Sequence, residues 1–262
     1  MTLERSLHLG ERHSLFNSRP HLDILISMRP KHPYVTIEEL RRDHSLLVSE
    51  MPGRADPRFS GSTDTTIAER YCPKDEPILE CGPIFGAFTK WLQEAGYREI
   101  HALDFADMLT MPDRGKLTFH EINFNTERFP YEEGFFSSVC AWGIIEHLEN
   151  PYHFIRELHR VLKSDGVLIL AIPNVLHIVS RLKFLKNGYF PRWNKKDNHT
   201  FIMPRGIFEK AFLRHFDVLE TKYIRPNLNL YSNTPRWYLP ANEWFGNYAV
   251  YVLKKKPFES YA

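Results

Sequence analysis

The segment Glu80-Cys81-Gly82-Pro83-Ile84-Phe85-Gly86 sets an acidic residue before two glycines, whose missing Cβ atoms let the backbone approach a ligand closely. Asp104 comes 24 residues after Glu80 and ends a short apolar run, a position from which a carboxylate can accept both hydroxyls of a ribose. A nicotinamide dinucleotide site would want Gly-x-Gly-x-x-Gly at such a turn, and the chain has Gly-x-x-x-Gly. Taken alone, that spacing reads equally well as a tight turn with close helix packing. Two of the 13 histidines stand where a proton acceptor would be useful. His147 lies just past a fourth apolar run, and His199 follows Asp197 and Asn198. The plainer reading of both is loop ordering. With no third histidine or carboxylate at helical i, i+4 spacing from either, no metal ion is expected.

These residues need a scaffold that gathers strand ends. From Pro77 onward, short apolar runs alternate with helical periods, as a parallel sheet with crossover helices requires. Strands are predicted at 78–81, 100–103, 117–122, around 139–141, 167–172, 216–223 and 248–253. A helix carrying Phe88, Trp91, Leu92 and Ala95 at i, i+3, i+4, i+7 stops at Gly96. Another starts at Asn150-Pro151 and buries Phe154, Leu158, Val161 and Leu162. Lys163-Ser164-Asp165-Gly166 reads as a turn, and further helices are predicted over about 175–185 and 205–214. The capping box Thr36-x-x-Glu39 opens a helix to about Met51. In an open parallel sheet the ligand lies at the carboxyl ends of the strands near the switch point, so Gly82, Asp104, Asn123 and Ala141 should converge.

The 262 residues are 43% hydrophobic and 25% charged, ordinary globular usage that excludes disordered and fibrous classes. With 34 basic and 32 acidic side chains the charge is too balanced for a nucleic-acid or membrane-surface protein. Three cysteines without C-x-x-C spacing indicate neither zinc nor a disulfide framework, and a reducing cytoplasm is expected. No apolar run is long enough for a signal peptide or a membrane span. The expected organisation is an N-terminal arm or lid over 1–70, one α/β domain over 71–255 with insertions at about 175–204 and 224–246, and a tail over 256–262.

Five ordered segments resemble the class I S-adenosylmethionine (SAM)-dependent methyltransferases, in particular the type-11 group. They are Ile78-Leu79-Glu80-Cys81-Gly82 through Phe88, Leu103-Asp104-Phe105-Ala106-Asp107-Met108-Leu109, Arg128-Phe129-Pro130-Tyr131 through Phe136, Ile145-Glu146-His147-Leu148-Glu149-Asn150-Pro151, and Glu157 through Gly166 leading to Ile172-Pro173-Asn174. The resemblance implies a Rossmann-like, doubly wound, seven-stranded and mostly parallel sheet with helices on both faces and the last strand antiparallel. It further implies SAM as cofactor. Glu80, Cys81, Gly82 and Gly86 would line its methionine end, with backbone near Gly82, Ala141 and Trp142 facing the ammonium and carboxylate. Asp104 would hold the ribose, Phe105 and Met108 would flank the adenine, and Asn123 with Phe124 would border its amino edge.

Three positions depart from the family pattern: Ile84 replaces a glycine, Ser137 an Asp, and Gly143 a Glu. The expected function is methyl transfer from SAM to a small-molecule or glycan-type acceptor at oxygen, with His147 and His199 as candidate bases. The competing expectation, motivated by those departures, is a degenerate binding or scaffold protein. Acceptor recognition is expected on the variable parts. These are the arm, the basic aromatic segment from Arg181 to His199, and the aromatic segment from Tyr231 to Phe245, which an oligomer contact would explain equally well.

Overall fold

The computed structural model describes residues 62–111, 113–115, 117–193, 198–226 and 239–257, together with Glu38 and Arg42. The chain divides into two compact units, Met1–Pro33 and Tyr34–Ala262, and every described residue belongs to the second. Glu38 and Arg42 are helical, and the rest of the helix expected from Thr36 lies outside the described residues.

The described elements are α1 (Thr65–Tyr71), β1 (Ile78–Cys81), α2 (Ala87–Glu94), β2 (Ile100–Asp104), β3 (Leu117–Glu121), β4 (Phe136–Trp142), α3 (Pro151–Val161), β5 (Leu162–Pro173), α4 (Ile178–Asn187), α5 (Arg205–Ala211), β6 (Phe216–Pro226) and β7 (Gly246–Lys255). They build one seven-stranded sheet in the order β3-β2-β1-β4-β5-β7-β6. β7 runs antiparallel to both β5 and β6, while β1 to β5 pair in parallel. Every residue of β1, β2 and β4 is buried, as apolar strands covered by helices on both faces must be. Strand order reverses between β1 and β4, so the crevice beyond their carboxyl ends is the natural ligand position.

Two apolar layers sandwich the sheet. On one face Phe154, Ile155, Leu158 and Val161 of α3 and Phe208 and Ala211 of α5 pack against Leu79, Val139, Leu168 and Leu170. On the other, Ile67 and Ala68 of α1 and Phe88 and Leu92 of α2 cover Ile78, Ile100, Cys140 and Ile169. Helix α1 is therefore part of this layer. The core begins before the boundary expected at 71, because the apolar face of α1 closes the sheet beside α2.

The predicted turn at Lys163–Gly166 is corrected: these residues continue β5, whose pairing with β4 shifts register between Phe136 and Ser138. A Cβ on Gly166 would lie 2.9 Å from Leu162 Cδ2 and 3.0 Å from the Lys163 carbonyl, so the irregularity needs a glycine. Helix α4 starts at Ile178 and not near Val175, since the His177 side chain caps it by accepting from the Val179 N–H. Helix α5 ends at Ala211, short of the expected Arg214.

Phe154, fully buried, meets Phe124 edge-on at 5.2 Å and Phe129 at 6.0 Å, which joins α3 to the loop after β3. Phe154→Ala should destabilise the protein by about 3–5 kcal/mol in urea unfolding, through lost transfer energy and a residual cavity. A loss below about 1 kcal/mol would show that this aromatic cluster does not hold the helix.

Candidate functional site

The β1–α2 turn is built around Asp104. Its carboxylate is 1% exposed and accepts the Ile84 N–H at 3.0 Å through Oδ2 and the Phe105 N–H at 2.8 Å through Oδ1. One carboxylate thus pins the turn after β1 to the end of β2, and two accepted bonds leave lone pairs for further donors. The Gly82 N–H donates to the Leu103 carbonyl at 2.8 Å, and Gly86 caps α2 with φ of 83°. Added Cβ atoms would strike protein: Ile144 Cδ1 at 2.9 Å from Gly82, and Leu109 Cδ2 at 2.8 Å from Gly86. The Gly86 clash is with the loop after β2, not with the strand before it.

Ile84 adopts φ of 52°, the left-handed region that a β-branched residue rarely enters, and its side chain is 41% exposed. In this conformation its N–H donates to Asp104. Glu80 is 3% exposed and accepts the Thr89 hydroxyl at 2.5 Å. Burial raises the Glu80 carboxyl to about 8, with the neighbouring Asp104 adding to it, and burial raises Asp104 to about 7. Two buried carboxyls without a cationic side chain among their electrostatic partners are poised for donors from a ligand.

The remaining expected cofactor residues separate into two groups. Phe105 and Met108 are half-buried on the loop after β2, beside Asp104. Asn123 is buried, and its Oδ1 accepts the Asn125 N–H at 3.0 Å. The Cys81, Phe124 and Ala141 side chains point into the α3-side core, so only their backbone can border a ligand. The Phe124 ring packs on Phe129 and Phe154, which leaves its backbone to border an adenine edge. Trp142 turns to the opposite layer against Phe88, with its Nε1 buried and unpartnered among the described residues.

At the carboxyl end of β4, Gly143 (φ 68°) precedes a short 3₁₀ turn, Ile145–His147. A Cβ on Gly143 would sit 3.2 Å from both Glu146 Oε1 and Ser62 Oγ, so a glycine is what lets Glu146 fold back. The segment after α4 docks here: the Thr200 and Phe201 N–H groups donate to the Glu146 carbonyl at 2.8 and 3.0 Å. His147 and His199 are thereby brought together, their rings 4.7 Å apart and nearly perpendicular, with Trp193 edge-on to His199 at 5.2 Å. His147 Nδ1 donates to the Asn198 carbonyl at 3.3 Å. Burial, His147 and Arg192 depress His199 to about 4, while burial lifts Glu146 to about 8.

Sequence reading placed Glu146 in a family segment without assigning it a role, because nothing in a sequence marks a glutamate as 3% exposed. Asn125 was missed outright. Its Oδ1 accepts the Glu149 and Asn150 N–H groups, each at 2.9 Å, tying the loop after β3 to the loop after β4. Of the departures, Ser137 lies at the amino end of β4, where its hydroxyl donates to the Pro77 carbonyl at 3.1 Å, away from the strand ends that form the site. From the aromatic segment 231–245, Tyr231 and Trp237 lie outside the described residues, while Trp244 stacks under the Arg181 guanidinium at 4.1 Å.

Two consequences are measurable on the protein alone. Left-handed isoleucine costs about 1–2 kcal/mol and glycine's extra chain entropy about 0.5–1, so Ile84→Gly should stabilise by about 0.5–1 kcal/mol in urea unfolding. Destabilisation would show that the Ile84 side chain packs. Glu80 and Asp104 bind protons more tightly folded than unfolded, so the stability they contribute is present below pH 4 and lost as pH rises to about 8. His199, depressed, acts oppositely but only below its unfolded value near 6.5. The melting temperature should therefore fall between pH 6.5 and 8.5, and Glu80→Gln should flatten that fall.

Comparison with known proteins agrees with this geometry. A family model described as Methyltransferase domain, of the type-11 group, matches residues 79–170. The Ubiquinone biosynthesis O-methyltransferase of Rickettsia bellii is 26% identical over 119 residues, covering 44% of this chain and 48% of that protein. The chain thus spans about half the length of this curated relative. Among solved structures, the PH0226 protein of Pyrococcus horikoshii superposes with a TM-score of 0.57 at 15% identity, covering 81% of this chain and 99% of that one. A SAM-dependent methyltransferase of Archaeoglobus fulgidus gives 0.52 at 15% identity, covering 81% and 99%. Residues 79–170 thus match a methyltransferase domain, and the sheet order and the glycine turn against a buried strand-end aspartate accord with that match.

Proposed function

We propose that this protein is a cytoplasmic enzyme that transfers the methyl group of SAM to an oxygen of a small-molecule or sugar-containing acceptor. The observation that carries the reading is the carboxylate pair of Glu80 and Asp104, buried at the strand ends on either side of the glycine turn. These residues fit SAM. Asp104 has lone pairs left for the ribose hydroxyls, and Glu80 offers a buried negative charge to the methionine ammonium. Bound there, SAM supplies a methyl on a sulfonium, an electrophile already activated, so the protein's task is alignment and exclusion of water.

The acceptor side of the proposal rests on the Glu146, His147 and His199 cluster at the end of β4. The acceptor oxygen would form its bond to the methyl carbon as the sulfur–carbon bond breaks, and its proton would leave to a neighbouring base. His147 is placed for that role, since Nδ1 donating to Asn198 puts the imidazole lone pair on Nε2. The Rickettsia bellii relative is a ubiquinone biosynthesis O-methyltransferase, and an oxygen target here is a proposal in keeping with it. A cytoplasmic setting accords with three free, buried cysteines. Among the described residues, no helix is long and apolar enough to cross a membrane. Balanced charge argues against nucleic acid as substrate.

The departures that suggested a degenerate fold have local explanations in Ile84's hydrogen bond, Ser137's position and Gly143's contacts. Asp104→Ala should weaken SAM binding in calorimetry by about 1–3 kcal/mol, the loss of charge-assisted hydrogen bonds. Because SAM's donors favour the ionised carboxyls, binding should release protons and tighten as pH rises from 6 to 8.5. His147→Ala should leave SAM affinity within about twofold and lower turnover on the order of 10²-fold if its imidazole is the base. Unaltered SAM affinity in Asp104→Ala would sink the cofactor assignment, and tight SAM binding with no methylated product from any acceptor would favour the scaffold.

A further inference from the structure

We propose that Glu146, His147 and His199 form a binding site for a first-row divalent cation. One donor atom from each of the three residues lies within 4.8 Å of the other two. Glu146 and His147 are adjacent on the 3₁₀ turn after β4, and His199 arrives from 52 residues further along. Donor atoms around one ion stand about 3 Å apart when each bond is about 2.1 Å, so the observed spacing closes by side-chain rotation.

Two features separate this cluster from an accidental meeting of polar groups. The first is unmet bonding capacity. Glu146 is 3% exposed, yet among the described residues its Oε2 has no hydrogen-bond partner, and neither has the buried Nδ1 of His199. A buried carboxylate oxygen and a buried ring nitrogen left without partners cost free energy that a ligand between them would recover.

The second feature is the way the imidazoles are held. His147 spends Nδ1 on the Asn198 carbonyl, and the His199 ring bonds the Arg192 carbonyl. Metal-ligating histidines characteristically donate the other ring N–H to a carbonyl, which fixes the tautomer and aims the lone pair. With Nδ1 of His199 unpartnered, its bond to Arg192 falls to Nε2–H, so the lone pair belongs to Nδ1. The scaffold is also fixed: the Thr200 and Phe201 N–H groups clamp the His199 loop to the Glu146 carbonyl.

One carboxylate with two imidazoles suits zinc, manganese, iron or cobalt better than magnesium or calcium, which take mostly oxygen. Three protein ligands leave coordination positions open. On the reading of the previous subsection, an open position would take the acceptor oxygen; with the ion bound, His147 would serve as a ligand in place of the base, and the acidified oxygen would lose its proton to solvent. Arg192, whose charge acts on Glu146 and His199 and which stacks over Tyr248 at 4.3 Å, is the opposing cation.

The test uses chelator-stripped, tag-free full-length protein titrated with Zn²⁺ by calorimetry and with Co²⁺ by visible absorption, without acceptor or SAM. One ion should bind per chain. Glu146→Gln and His199→Ala should each weaken binding by about tenfold or more, since loss of an outer-shell partner alone costs 10–100-fold. As a check that needs no variant, the side-chain nitrogen resonances of both His147 and His199 should move on saturation with Zn²⁺. Absence of binding, unaltered affinity in both variants, or unmoved resonances would each overturn the site. SAM affinity, titrated separately on the stripped protein, reports on the methyltransferase reading alone, so either can fail without the other.

Discussion

The site depends on one buried carboxylate. Asp104 receives the Ile84 and Phe105 N–H groups, and with them the turn after β1 and the loop after β2 acquire a fixed relation. A buried carboxylate with no counter-ion is costly, and two backbone donors offset part of that cost. The remainder appears as a raised pKa, which marks Asp104 as a group awaiting further donors. Ile84 pays in backbone strain for its place in this arrangement, holding a left-handed φ of 52° while its N–H donates to Asp104.

The end of β4 follows a different rule. There the polar groups are held by neighbours distant in sequence, through the Thr200 and Phe201 bonds to Glu146 and the Asn125 bonds to Glu149 and Asn150. Gly143 gives way so that Glu146 can fold into the space a side chain would fill. Three loops thus converge on one short turn. The cluster at this turn holds two of the buried atoms left without a hydrogen-bond partner among the described residues, Glu146 Oε2 and His199 Nδ1.

On an open α/β sheet, ligand choice is left to the decorations around the strand ends. Here the decoration after β5 is only partly docked. Helix α4 buries none of its residues, and Leu182, Phe184, Leu185 and Tyr189 stand exposed among its lysines. Arg181, paired with Glu243 and stacked on Trp244, ties the start of this helix to the segment before β7. The two insertions expected from sequence are therefore joined to each other at one point.

Apolar runs located the seven strands of the described sheet, most plainly β1, β2 and β4, which are buried throughout. The glycine turn and Asp104 were equally legible, since φ above zero and a strand-end carboxylate are local requirements written in residue type. Residue type could not tell which side of a strand each neighbour faces. The resemblance put Phe124 beside the adenine edge, and only the structure shows that its ring packs into the core on Phe129 and Phe154. Nor did helical spacing find a third partner for His147 and His199, because Glu146 joins them through a 3₁₀ turn and a loop 53 residues further along the chain, a proximity that only the tertiary fold creates. Burial decided the rest: a glutamate becomes a candidate ligand when its surroundings withhold water and partners, and that is a property of the folded chain and not of its order of residues.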